Sequence, residues 1–129
     1  MIKLIFKYWI LAILFNKAIT ANDILRQIFE DLCEWMDSEE DGGEIDLVIT
    51  EVWRNDKSST HYYNRALDVV PANRDIALME KMRTYINAAW DYGKGEYQVV
   101  PPVRHGTAPH IHIQTASNDR THRREVKSS

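Results

Sequence analysis

The run Ala66-Leu67-Asp68-Val69-Val70-Pro71 sets one carboxylate in the middle of an otherwise apolar stretch. Its β-branched content and terminal proline predict a strand over Arg65 to Val70. Side chains alternate along a strand, so Leu67 and Val69 go to a core and Asp68 points to the opposite face. An ionised carboxylate in such surroundings is costly unless paired, hydrogen-bonded or bound to a metal. The fold must therefore supply Asp68 with a partner. Spacing leaves two kinds open: an ion pair with Arg54 or Arg65, or a metal ion.

A second segment repeats the theme. In His110-Ile111-His112-Ile113-Gln114 strict alternation places both imidazoles and the amide on one face, with the isoleucines on the other. Two histidines on one strand face suit metal ligation, and they equally suit a solvated polar face. His61 precedes the Asp68 strand on a polar loop, within reach of the same cleft. Two histidines and a carboxylate are a typical catalytic zinc set, with a fourth position left for water.

The remaining chain reads as one α+β domain. Asn22 or Asp23 caps a helix with Ile24, Leu25, Ile28, Phe29, Leu32, Cys33 and Met36 on its apolar stripe. The acidic stretch from Ser38 to Glu44, with Gly42-Gly43, marks a turn. Ile45 to Trp53 reads as a strand. Asn73 or Asp75 starts a helix carrying Ile76, Met79, Met82, Tyr85, Ile86, Ala89 and Trp90 on one face, ended by Gly93 and Gly95. Further strands are expected at about Tyr97 to Val100 and at His110 to Thr115. The result is a small antiparallel sheet flanked by helices. Residues 22–116 form the domain, and 117–129 read as a flexible charged tail that includes His122. Residues 1–21 read either as a secretory signal cleaved near Ala21 or as an extra N-terminal helix. Residues 1–15 could also lie on a membrane surface, although the apolar run from Tyr8 is shorter than the ~20 residues of a span. Localisation follows that choice: periplasmic or extracellular with a signal, otherwise cytoplasmic or a phage-encoded lytic protein. The single cysteine excludes an intrachain disulfide and reads as a structural thiol. A net charge of −3 speaks against a nucleic-acid partner. A monomer is expected.

Taken together, Ser59-x-His61-x-x-Asn64-x-Ala66-x-Asp68 followed by His110-x-His112 resembles the zinc D-alanyl-D-alanine carboxypeptidases. These are grouped with the L-alanyl-D-glutamate endopeptidases and the hedgehog signalling domain. Val48 to Arg54 resembles the family strand that ends in Gly-Tyr-Arg. The likeness covers about Asp23 to Ala116. It implies a hedgehog/D,D-peptidase-like fold, a Zn2+ cofactor and the metal ligands His61, Asp68 and His112. It also implies a proton-transfer role for His110 and a substrate-carboxylate role for Arg54, whose other reading is an ion pair with Asp56, Glu51 or Asp68. Two departures stand out. Asn64 replaces the usual glycine, which asparagine's tolerance of left-handed backbone can accommodate. Pro109 stands where many relatives carry an acidic general base, so that duty falls to His110, with His105 as an assistant. Glu51 and Glu96 are further candidate bases that no motif positions.

The activity so implied is hydrolysis of peptide bonds in peptidoglycan stem peptides, of carboxypeptidase or endopeptidase type. Two other classes remain: a non-catalytic zinc-stabilised binding module, and a zinc amidohydrolase acting on a small amide.

Overall fold

The computed structural model describes residues 2–38, 45–103, 108–117 and 120–125. Strand β1 (Leu4–Phe6) is followed by helices α1 (Ile10–Ala21) and α2 (Asp23–Ser38), then by strand β2 (Leu47–Glu51). A short 3-10 helix, Thr60–Tyr63, leads into β3 (Ala66–Pro71) and helix α3 (Ile76–Ala89). Strands β4 (Trp90–Asp91), β5 (Ile111–Gln114) and β6 (His122–Arg123) complete the chain.

The main sheet has the order β1-β2-β3-β5. Its β2, β3 and β5 are antiparallel as expected, but β1 joins parallel to β2, so the sheet is mixed. The parallel pairing is possible because α1 and α2 together carry the chain back to the start of the sheet. One face of the sheet is the core: Leu47, Ile49, Leu67, Val69, Ile111 and Ile113 are all fully buried. Against them lie Leu25, Ile28 and Leu32 of α2 and Met79, Met82 and Ile86 of α3, in one continuous cluster. Cys33, half-buried on α2, has its thiol pushed up to about 11 by burial and by nearby Asp37, Glu30 and Glu34, which keeps it protonated and inert at neutral pH.

Helix ends follow local chemistry. Asn22 accepts the Leu25 amide at 3.0 Å, and its side-chain nitrogen reaches Thr115 Oγ1 and the Asn64 carbonyl. The cap of α2 is thus tied to the loop after His61. Asp75 caps α3 through the amides of Ala77 and Leu78. That helix stops at Ala89, earlier than Gly93 and Gly95 suggest, because Trp90 turns extended to pair with β6.

The expected strand at Tyr97–Val100 is absent. Asn87 takes both backbone groups of Val100, its Nδ2 donating to the carbonyl and its Oδ1 accepting the amide, each at 2.9 Å. Val100 therefore has nothing left for a ladder, and Pro101 and Pro102 have no amide to offer. Gln114 holds the segment beside β5, its amide donating to the Val99 carbonyl and its Nε2 to the Gln98 carbonyl.

Residues 1–21, read as a signal or an extra N-terminal helix, and the stretch read as a charged tail both contact the rest of the domain. Residues 4–6 pair with β2, and Leu11, Phe15 and Ala18 of α1 are buried. Within the stretch read as a tail, Thr121 is buried and Arg123 and Arg124 reach Asp31 and Asp91. Among the described residues no helix is long and apolar enough to cross a membrane. The turn around Gly42-Gly43 lies outside the described residues.

Gly93 serves a close approach. Its φ is +85°, and a Cβ there would stand 2.1 Å from the Arg120 carbonyl oxygen. At Gly95, with φ +60°, a Cβ would meet only the Tyr97 ring, in ordinary contact at 3.8 Å. Gly93→Ala should therefore cost about 2 kcal/mol or more and Gly95→Ala about 1 kcal/mol in denaturant unfolding. Equal losses would show that backbone strain alone, not contact with Arg120, requires glycine at position 93.

Candidate metal centre

Sheet register assembles the site. Across three strands, Glu51 stands opposite Asp68 and Asp68 opposite His112. A register shift between Ile49 and Glu51 brings the glutamate into that row. His61 arrives from the 3-10 helix. Ser59 starts that helix by accepting the His61 amide, and Asn64 ends it at φ 55°, ψ 37°. Asparagine thus adopts the left-handed turn that brings the chain back into β3.

The partners of Asp68 are histidines, not arginines. His112 Nδ1 lies 2.8 Å and His61 Nε2 3.2 Å from Asp68 Oδ1, and His110 Nε2 lies 3.7 Å from Oδ2. The ligand atoms of His61, Asp68 and His112 all fall within 4.8 Å of one another. The rings of His61 and His112 are steeply inclined, with centroids 5.0 Å apart.

Tautomers decide what this cluster can do. His61 Nδ1 faces the Val52 carbonyl at 2.8 Å, and a carbonyl only accepts, so the proton is on Nδ1. Nε2 then presents a lone pair toward the Asp68 carboxylate. It is buried and has no hydrogen-bond partner among the described residues, despite the 3.2 Å approach. His112 lies between two acceptors. Gln114 donates its Nε2 to the Gln98 carbonyl, which turns Oε1 toward His112 Nε2 at 3.1 Å. The Asp68 carboxylate also only accepts, so Nδ1 donates to it at 2.8 Å and becomes a metal ligand by giving up that proton, with Nε2 held by Gln114 and the Thr60 hydroxyl 3.4 Å away. Three possible ligand atoms thus converge on one space, each imidazole held from behind by an oxygen acceptor, as metal-bound histidines usually are. Two donors about 2.0–2.1 Å from a tetrahedral zinc stand about 3.4 Å apart, close to the spacings here. The donor set fits a divalent cation.

Without a cation, protons take its place. Burial disfavours a charged His61, but a protonated Nε2 would donate to Asp68 at 3.2 Å, and this, with that carboxylate's charge, the Val52 carbonyl and Glu51, holds the His61 pKa above the ordinary value. Burial works against ionised Asp68 as well, yet His112 and His61 keep the carboxyl well below the usual range.

The other residues singled out from sequence divide. His110 Nδ1 donates to the Ala108 carbonyl, leaving Nε2 as the basic nitrogen beside Asp68. Arg54, half exposed, has Nε 3.6 Å from Glu51 Oε1 and donates to Ser59 Oγ at 3.0 Å. Of its suggested ion-pair partners it is Glu51 that it meets. The second oxygen of Glu51 lies 3.9 Å from His61 Nε2, so Glu51 belongs to the site although no motif marked it. Thr60 escaped notice, and alternation places Gln114 on the face of His112 without giving it a role in the site. Glu96 is exposed, and His122 is an exposed residue of β6 bonded to the Arg120 carbonyl. His105 lies outside the described residues. Trp53 forms part of the rim, donating to the Tyr62 carbonyl. Trp90 and Tyr85 are remote from it, both bonded to Asp31.

No family model matches this chain, and neither the curated proteins nor the solved structures yield a match.

Proposed function

We propose that the chain is a zinc-dependent hydrolase that cleaves peptide bonds in peptidoglycan stem peptides. One observation carries the reading: one ring nitrogen each of His61 and His112 converges with a carboxylate oxygen of Asp68, all within 4.8 Å, and the buried His61 nitrogen has no hydrogen bond of its own among the described residues. The motif resemblance supplies the hedgehog/D,D-peptidase-like fold and the substrate class. Imidazole with carboxylate favours zinc among the common divalent ions. When bound, the ion supplies Lewis acidity and makes water acidic enough to yield hydroxide at neutral pH.

The chain's own residues do the rest. His110 Nε2, basic and next to Asp68 Oδ2, takes the proton of the attacking water and returns it to the leaving amine. Arg54, half exposed and held by Ser59 Oγ at 3.0 Å and Glu51 at 3.6 Å, exchanges these contacts for a substrate carboxylate and so fixes the peptide's position. Pro109, in place of an acid, leaves proton transfer to His110.

Zinc-loaded protein incubated with purified peptidoglycan should release peptides that mass spectrometry identifies, and a chelator should stop the release. Free D-alanine marks a carboxypeptidase; a cut after L-alanine marks an endopeptidase. His110→Ala should retain zinc and lose about a hundredfold or more in turnover. Stoichiometric zinc with no cleavage of wall or soluble stem peptides defeats the peptidase reading. Turnover of small amides would then identify an amidohydrolase, and inertness toward both would identify a binding module.

A further inference from the structure

The β1–α1 corner carries an unusual surface. Five of the eight exposed large apolar or aromatic side chains among the described residues fall within nine consecutive positions: Ile5, Tyr8, Trp9, Ile10 and Ile13. Trp9 is 77% exposed and Tyr8 58%. The charges within this segment are all of one sign, although the Asp37 and Asp46 carboxylates accept the backbone amides of Ile2 and Lys3 at its edge. Residues 1–21 contain Lys3, Lys7 and Lys17 and no acidic residue, in a chain whose net charge is −3. All three lysines are exposed, and Lys7 Nζ sits 5.5 Å from the centre of the Tyr8 ring.

Local structure explains how apolar groups come to be outside. Strand β1 alternates, turning Leu4 and Phe6 inward and leaving Lys3, Ile5 and Lys7 exposed. Helix α1 is apolar on more than one side: Leu11, Phe15 and Ala18 face the core, while Ile10 and Ile13 face out. A helix that needed only its core contact would carry polar residues on that outer side.

We propose that this corner docks on an anionic lipid surface. Aromatic rings beside lysines, with isoleucines next to them, match the boundary between acyl chains and headgroups. The charge pattern argues against a second copy of the chain as the occupant. A two-fold interface brings the same patch against itself, and Lys7 and Lys17, which lie away from Asp37 and Asp46 at the β1 edge, would then repel their copies. Register also relates the patch to the metal centre. Ile5 stands opposite Val48, Val48 opposite Val70, and Val70 is two residues from Asp68 on the same strand. Ile5 and Asp68 therefore belong to the same face of the sheet.

The test uses the full chain and flotation with vesicles of phosphatidylcholine, with and without phosphatidylglycerol. Protein should float with the anionic vesicles and remain behind with neutral ones, and high salt should release it. Lys3→Glu and Lys7→Glu should each weaken partition roughly fivefold or more. Trp9→Ser with Ile13→Ser should abolish flotation while leaving the thermal unfolding temperature unchanged, since both side chains are outside the core. The proposal is overturned if the unaltered chain fails to float, or if it floats equally with neutral vesicles. It is likewise overturned if the unaltered chain stays behind but sediments as a dimer that the double substitution dissociates.

Discussion

Asp68→Ala should fold, purify without zinc, and fail to take up the ion on titration. The unaltered chain should bind one equivalent. Loss of a partner that merely orients a ligand already costs 10- to ~100-fold in metal affinity, and Asp68 is placed to be a ligand itself. The expected fall therefore exceeds about a hundredfold. His112→Ala should behave alike, whereas His122→Ala, on the exposed β6, should bind as the unaltered chain does. Asp68→Asn is the sharper variant, because it keeps the shape of the side chain and removes only the charge. Full zinc occupancy in Asp68→Ala and His112→Ala would sink the ligand assignment.

The same geometry dictates a pH dependence. In the metal-free protein His61 holds its proton to a pH above its ordinary 6.5, so protons compete with zinc for Nε2 through the neutral range. Zinc affinity should rise with pH and level off once His61 is neutral. The fold of the metal-free chain responds differently. Stability contributed by charged His61 is complete below the unfolded pKa and lost as pH rises through the folded one. Stability contributed by Asp68, whose pKa is held down, is present above the ordinary carboxylate pKa and lost as pH falls. Competition titrations against a chelating dye, repeated across neutral pH, check the first trend. A flat profile would mean that no proton leaves His61 on binding.

What could be read in advance follows from how far each signal reaches along the chain. Alternation is local, so the shared face of His110, His112 and Gln114 was legible, as was the need of Asp68 for a partner. The left-handed Asn64 was also legible, because it depends on one residue's own backbone preference. Register is not local. That Asp68 falls opposite His112 and Glu51 opposite Asp68 depends on how three strands slide past one another, and one bulge in β2 decides the second pairing. Glu51 could be suspected but not placed. The strand expected at Tyr97–Val100 shows the converse error. Its valines have the right propensity, but Asn87, in another element, removes the hydrogen bonds a strand would need. Strand β1 was missed because its partner is joined to it through two helices, and a parallel pairing over that distance leaves no short-range mark.

A chain beginning at Asn22 should lose cooperative unfolding or aggregate, because β1 and α1 are built into the core. Phe15 makes edge-on contacts with Phe6 and Phe29, at 5.6 and 5.2 Å between ring centres. Each large apolar side chain buried is worth about 1.5–3 kcal/mol, and the segment removes Leu11 and Phe15 together while uncovering Phe29. A domain of this size commonly has only 5 to ~15 kcal/mol in total. Deletion also strips β2 of its neighbour and leaves an open strand edge of Leu47, Val48 and Ile49, which invites intermolecular pairing. Phe15→Ala gives a graded version, with an expected loss of about 3–5 kcal/mol and a thermal midpoint lower by about 10 °C or more. Circular dichroism melts of the two variants and the full chain separate the outcomes. A truncated chain that stays soluble and melts near the full chain's midpoint would make residues 1–21 an appendage. In that event Phe15→Ala should also melt normally, and the domain would have to cover Phe29 in another way.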